Sequence, residues 1–171
     1  MFSGIGDSEL ESHIPALRRF AWSLTRDQDK ADDLVQDTLL TAISRWAQLR
    51  NPGSVRPWLF QILYNAFRAG FRRRHGEELP MPLDTNAQHP ATIESPEDKI
   101  LLRSTLRGLA RLPEDQRAVL ELVAIEGLSY EEVSRIVDAP LGTVMSRLSR
   151  AREKLRELMG DRPSVQLRRV K

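Results

Sequence analysis

An all-α fold is what the sequence predicts: two small helical domains joined by a flexible linker, the C-terminal one containing a helix-turn-helix. Three observations carry this expectation. Apolar residues recur at helical spacing through most of the 171 residues, and no stretch shows the alternation of a half-buried strand. Periodicity is lost once, in EELPMPLDTNAQHPATIESP, whose four Pro and lack of pattern mark a linker. From Leu128 to Leu155, a short apolar-faced helix, a tight turn and a longer basic helix follow one another.

Ser8-Glu9-Leu10-Glu11 reads as a capping box opening the first helix, with Ile14, Leu17, Phe20, Ala21 and Leu24 inward. Arg26-Asp27-Gln28-Asp29 ends that helix and caps the next. The second helix carries Ala31, Leu34, Val35, Leu39, Ala42, Ile43 and Trp46 on one stripe. Asn51-Pro52-Gly53-Ser54 is a turn and a new cap. A third helix follows, with Val55, Trp58, Leu59, Ile62, Leu63, Ala66, Phe67 and Phe71 inward and Arg72-Arg73-Arg74 at its end. Beyond the linker, Ser95-Pro96 restarts helix with Ser at the cap and Pro just inside it. Ile100 to Leu112 forms that helix, Pro113-Glu114-Asp115 opens another running to Ile125, and Gly127 is a natural stop. The expected division is therefore a domain over 8–75, a linker over 76–95, a domain over 96–160 and a basic tail over 161–171.

In the helix-turn-helix, Ser129-Tyr130-Glu131-Glu132 forms a second capping box, and Val133, Ile136 and Val137 make one apolar face. Asp138-Ala139-Pro140-Leu141-Gly142 breaks this helix. Another starts at about Thr143, with Val144, Leu148, Ala151 and Leu155 inward. Its remaining faces offer Thr143, Ser146, Arg147, Ser149, Arg150 and Arg152. A second helix of this kind lies in the major groove of DNA. An ordinary helical hairpin with a solvated basic face would show the same pattern.

Net charge is only +2, so bulk charge makes no case for nucleic acid. Its distribution does. Nine Lys/Arg against three acids follow from Thr143 onward, whereas five Asp face one Lys between Asp27 and Asp37. Such asymmetry suggests a basic surface for phosphate and an acidic one for something else. Cysteine is absent, which excludes disulfides and thiolate metal sites. His13, His75 and His89 are scattered without ligand spacing, and no P-loop or G-x-S-x-G occurs. No catalytic residue, metal or cofactor is expected. The first residues lack the basic and apolar regions of a signal peptide, and no apolar run approaches the roughly 18 residues of a membrane span. The expectation is a cytoplasmic protein without membrane insertion.

GTVMSRLSRAREKL resembles the recognition helix of the extracytoplasmic-function (ECF) sigma factors, the promoter-reading subunits of bacterial RNA polymerase. ADDLVQDTLLTAISRW is similar to the helix with which that family grips core polymerase. RPWLFQILYNAFRAGFRRR resembles its segment for melting and reading the downstream promoter element. The likeness covers about Ile14 to Leu158, and IPALRRFAWSLTRD and DKADDLVQDTL are especially like the general-stress-response subgroup. It implies that Asp32, Asp33, Leu34, Gln36 and Asp37 meet bacterial core RNA polymerase. It implies downstream-element contacts from Arg56, Asn65, Arg68, Arg72, Arg73 and Arg74, and upstream-element contacts from Thr143, Met145, Ser146, Arg147, Ser149 and Arg150. Met145 stands where the family usually has Lys or Arg, and the acid common near Ala69 is missing. The resemblance also implies promoter DNA and an anti-sigma factor as partners. A stand-alone helix-turn-helix transcription regulator would explain the second domain, but not the acidic helix or the aromatic-rich third helix.

Overall fold

The computed structural model describes residues 5–49, 51–74 and 107–159, all helix, turn or connecting loop. The expected linker, the Ser95-Pro96 helix start and the basic tail lie outside the described residues.

Helix α1 spans Ile5–Thr25, α2 Gln28–Arg45 and α3 Val55–Arg74. The first begins ahead of the expected capping box, so Ser8 lies inside it rather than at its cap. It ends where Arg26 takes a left-handed backbone, φ 54°. Asp27 then caps α2, its side chain accepting from the Lys30 N–H at 3.1 Å. The second helix stops at Arg45, and Trp46 belongs to a short 3-10 turn over Trp46–Gln48.

In the second domain residues 107–110 are helical, followed by α4 (Glu114–Ala124), α5 (Tyr130–Val137) and α6 (Leu141–Met159). Gly127 adopts φ 68°, the left-handed turn for which a side chain is costly. The Ser129 capping box forms in full: Ser129 Oγ accepts from the Glu132 N–H at 3.2 Å, and Glu132 accepts from the Ser129 N–H at 2.8 Å. Asp138, also left-handed, closes α5. The last helix starts at Leu141, earlier than expected, because the Pro140 carbonyl accepts from the Thr143 and Val144 N–H groups. Gly142 sits in the first turn, where backbone N–H groups need no helical partner.

Each domain has an apolar centre. Leu17, Phe20 and Ala21 of α1 meet Ala31, Val35 and Ala42 of α2 and Leu59 and Leu63 of α3. Val119 and Leu122 of α4 meet Val133, Ile136 and Val137 of α5 and Val144, Leu148 and Ala151 of α6. Each such large side chain, fully buried, contributes about 1.5–3 kcal/mol. Two apolar expectations fail in detail. Ile43 is exposed, whereas Thr38 is buried on the inner side, its hydroxyl donating to the Leu34 carbonyl at 2.7 Å. Phe60 and Tyr64, outside the expected stripe of α3, are buried because α3 has neighbours on several sides.

Those neighbours include the other domain. Helix α3 packs along α5, and α1 against α4. Seven consecutive residues of α4, Arg117 to Val123, are buried as a result.

Candidate nucleic-acid interface

The candidate residues fall on three helices with different surroundings. On α2, Asp33, Gln36 and Asp37 point to solvent. Leu40, 66% exposed, and Ile43 lie on the same side, since residues three and four apart on a helix are neighbours. This face therefore combines carboxylates with uncovered apolar surface. The other two candidates are committed within the domain. Asp32 pairs with Arg18 at 3.3 Å and accepts from Gln28 at 3.1 Å, while Leu34 packs against the core. The family resemblance implies Leu34 as the apolar part of this face, a role its packing against the core does not favour. Leu40, adjacent to Leu39 and one turn beyond Asp37, carried the missed signal: two successive Leu cannot both face inward.

On α3, Asn65 is exposed and Arg68 lies over the Tyr64 ring, 5.9 Å from its centre. Tyr64 stacks near Phe20 at 6.4 Å, and Phe60 meets the same Phe20 edge-on at 5.4 Å. Burial raises the Tyr64 phenol pKa, with Glu114 adding to the shift and Arg68 and Arg147 opposing it. These rings belong to the core. Arg72, Arg73 and Arg74 continue the helix, and their side chains lie outside the described residues. Arg56 turns away from the others and pairs with Glu126 at 2.7 Å.

On α6, Met145, Ser146, Ser149 and Arg150 are exposed, and Thr143 is half-buried. Ser146 donates to the Thr143 carbonyl at 3.1 Å. Met145 borders a groove of about 340 Å³ shared with Tyr130, Arg152 and Arg156. Arg147 lies on the opposite flank and pairs with Asp115 at 3.0 Å, leaving only 27% of its side chain exposed. A helix presenting Ser146, Ser149 and Arg150 together can donate to phosphates and base edges.

Sequence reading missed the polar seam between the domains. Glu126, whose side chain is 2% exposed, receives Arg19 of α1 at 3.2 Å as well as Arg56. Ser23 of α1 donates to the Glu121 carboxylate, and Arg26 to the Ala110 carbonyl. Gln61 of α3 donates to the Arg135 carbonyl of α5 at 3.2 Å. Burial pushes the Glu121 carboxyl up to about 7, against the Ser23 hydrogen bond and the Arg117 and Arg26 charges. A carboxylate inside an otherwise apolar run, AVLELV, was the available signal for Glu121. Nothing in the sequence distinguishes Arg19 from its neighbour Arg18.

Comparison with known proteins adds to this geometry. Residues 10–64 match the family model described as the Sigma2 domain of PhyR, and residues 102–155 match Sigma-70, region 4. The chain is 40% identical over 150 residues to the ECF RNA polymerase sigma factor EcfG of Rhodopseudomonas palustris, covering 85% of this chain and 80% of that one. It is 30% identical over 154 residues to the ECF RNA polymerase sigma factor SigM of Bacillus subtilis, covering 89% and 93%. The solved structure of the sigma factor RpoE in complex with the anti-sigma factor NepR from Bartonella quintana aligns with a TM-score of 0.76 and 37% identity, over 91% of this chain and 98% of that one.

An all-α pairing of a sigma region-2 unit with a region-4 helix-turn-helix defines a two-domain sigma factor, a class that binds core RNA polymerase and promoter DNA to direct transcription initiation. The chain belongs to the ECF RNA polymerase sigma factors. These relatives align across both domains, which a stand-alone helix-turn-helix regulator does not explain. Sigma factors are not known as a class of enzymes. Among the described residues no group of His, Cys, Asp and Glu is placed to hold a metal ion, and no helix is long and apolar enough to cross a membrane.

Proposed function

We propose that this sigma factor docks on core polymerase through the outer face of α2 and reads a two-part promoter with α3 and α6. The observation that carries the docking assignment is the coincidence of Asp33, Gln36 and Asp37 with exposed Leu40 on one helix face. The acids suit a basic partner and steer its approach, while Leu40 supplies apolar surface beside them. Asn65, Arg68 and Arg72 to Arg74 serve the downstream element. Thr143, Met145, Ser146, Ser149 and Arg150 serve the upstream one, Met145 by apolar contact, the kind of contact made to thymine methyl groups in the major groove. Arg56 and Arg147 join them only after releasing Glu126 and Asp115. The residues act in the cytoplasm, carry no catalytic activity and need no cofactor. The first domain is assigned to 8–75 and the second to 96–160, with 76–95 as the tether.

The likeness to EcfG supports a role in the general stress response, and the RpoE–NepR complex supports control by an anti-sigma factor. Reconstitution tests the reading. Core polymerase supplied with this chain and fragmented genomic DNA should initiate at a small set of sites. Those sites should share two upstream sequence elements about two helical turns apart. Initiation at random positions, or at the same sites without the chain, contradicts the proposal.

A further inference from the structure

We propose, on the reading that α6 serves the upstream element, that Met145 selects thymine at one position of that element. It does so by covering the C5-methyl group of the base with the apolar end of the groove beside α6.

Two of the five large apolar side chains left exposed among the described residues stand on α6: Leu141, 36% exposed, and Met145, 46% exposed. Four residues apart, they share one face of the first two turns. The domain core does not use them, since Val144, Leu148 and Ala151 fill the inner side of this helix. A recognition helix reaches base edges from its N-terminal end. The exposed apolar face thus lies on the part of α6 that meets bases.

Met145, Leu148, Arg152 and Arg156 follow one another along the groove, with Tyr130 of α5 on its other wall. Toward the start of α6 the lining is apolar. Toward the end it is basic, two arginines standing against one acid, Glu153. Duplex DNA matches that order, offering a base edge to the methionine and backbone phosphates to the arginines. An apolar peptide would match the first half alone.

In the major groove the four bases differ in donors and acceptors, and thymine alone adds a methyl group. A thioether donates no hydrogen bond and accepts only weakly. Met145 therefore tells bases apart through that methyl group, and its unbranched chain can follow the shape it covers. Its polar neighbours Ser146 and Arg147 are engaged within the protein, on the Thr143 carbonyl and on Asp115. Covering one methyl group corresponds to about a four-fold change in affinity.

The test uses the full chain bound to bacterial core RNA polymerase, with duplexes selected for tight binding from a random-sequence pool. Each thymine of the shared upstream element, on either strand, is replaced singly by deoxyuridine. That removes the methyl group and keeps every hydrogen-bonding group. At one position the parent should lose about four-fold or more in affinity. Met145→Gln keeps the length of the side chain at an exposed site, and should bind the thymine and uracil duplexes equally there. Met145→Leu, apolar and close in volume, should keep the discrimination. Uridine without effect at every position overturns the proposal, as does discrimination of parent size in Met145→Gln. Loss of discrimination in Met145→Leu as well overturns the apolar contact, making the effect one of any change at this site. Absence of a shared upstream element among the selected duplexes would instead overturn the reading of α6 itself, and the proposal with it.

Discussion

Arg147 and Arg150 stand one turn apart on the same helix, yet Arg147 is held by Asp115 while Arg150 is free of ion pairs among the described residues. A guanidinium in water can turn its fork to a guanine edge or to a phosphate, and the two uses differ in their signature. Arg150→Ala should weaken binding to the upstream element by about 1–3 kcal/mol, with the loss confined to one base position, when competing promoter sequences are titrated. A loss spread evenly over all sequences would make Arg150 a phosphate contact. At this scale the sequence was informative about direction and silent about company. The spacing of Val144, Leu148 and Ala151 correctly implied the buried side of α6, and with it the outward set. That Arg147 would meet Asp115 depends on how α4 crosses α6, which no local pattern encodes. Ile43 differs for a related reason: an apolar residue beside the stripe reaches water, while Thr38, able to satisfy its own hydroxyl, is buried.

Helices α2 and α4 show what periodicity conveys about an element. On α2 the stripe of Ala31, Val35 and Ala42 was legible, because one face meets the core and the other meets water. On α4 the charged side, Glu114, Arg117 and Glu121, does not mark the solvent face. Glu121 and Arg117 are buried along with the apolar residues between them, since α1 of the other domain covers the side that would otherwise be wet. That placement has a consequence for pH. Glu121 faces Ser23 of α1 and Arg26 just beyond it, and Arg117 and Glu126 from its own domain. Its carboxyl is pushed up to about 7 while the domains are packed together, the closed arrangement, whereas an exposed glutamate titrates at about 4.3. The closed state thus binds the proton more tightly. Closure is fully favoured below the exposed value, weakens as pH rises toward about 7, and levels off above it. Energy transfer between dyes on Ser44→Cys of α2 and Glu157→Cys of α6 should fall across that window, and Glu121→Gln, neutral throughout, should flatten the curve. A curve with the same slope in both proteins assigns the dependence to another group.

For the whole molecule, the all-α class and the order of the helices were accessible from hydrophobic spacing and from the capping residues Asp27 and Ser129, both of which cap as their chemistry requires. The seam was not. A stretch without periodicity between two helical domains says that they are tethered, not whether they touch. Their contact is made by ordinary surface residues, Arg19, Ser23, Gln61 and Glu126, which become a seam only when the domains meet. The structure shows the two domains in contact, with the outer face of α2 left uncovered among the described residues. The assignment of that docking face to α2 is the central claim, and binding of fluorescently labelled protein to bacterial core RNA polymerase tests it most directly. Titrated by anisotropy beside an Asp33→Ala/Asp37→Ala variant and a Leu40→Ser variant, the parent should bind tightly. Both variants should bind at least about ten-fold more weakly, a loss of roughly 1.4 kcal/mol or more. Their thermal unfolding should stay close to that of the parent, because exposed positions outside the core contribute within about 0.5 kcal/mol to stability. Parent-like affinity in both variants would contradict the account and move the docking surface off α2.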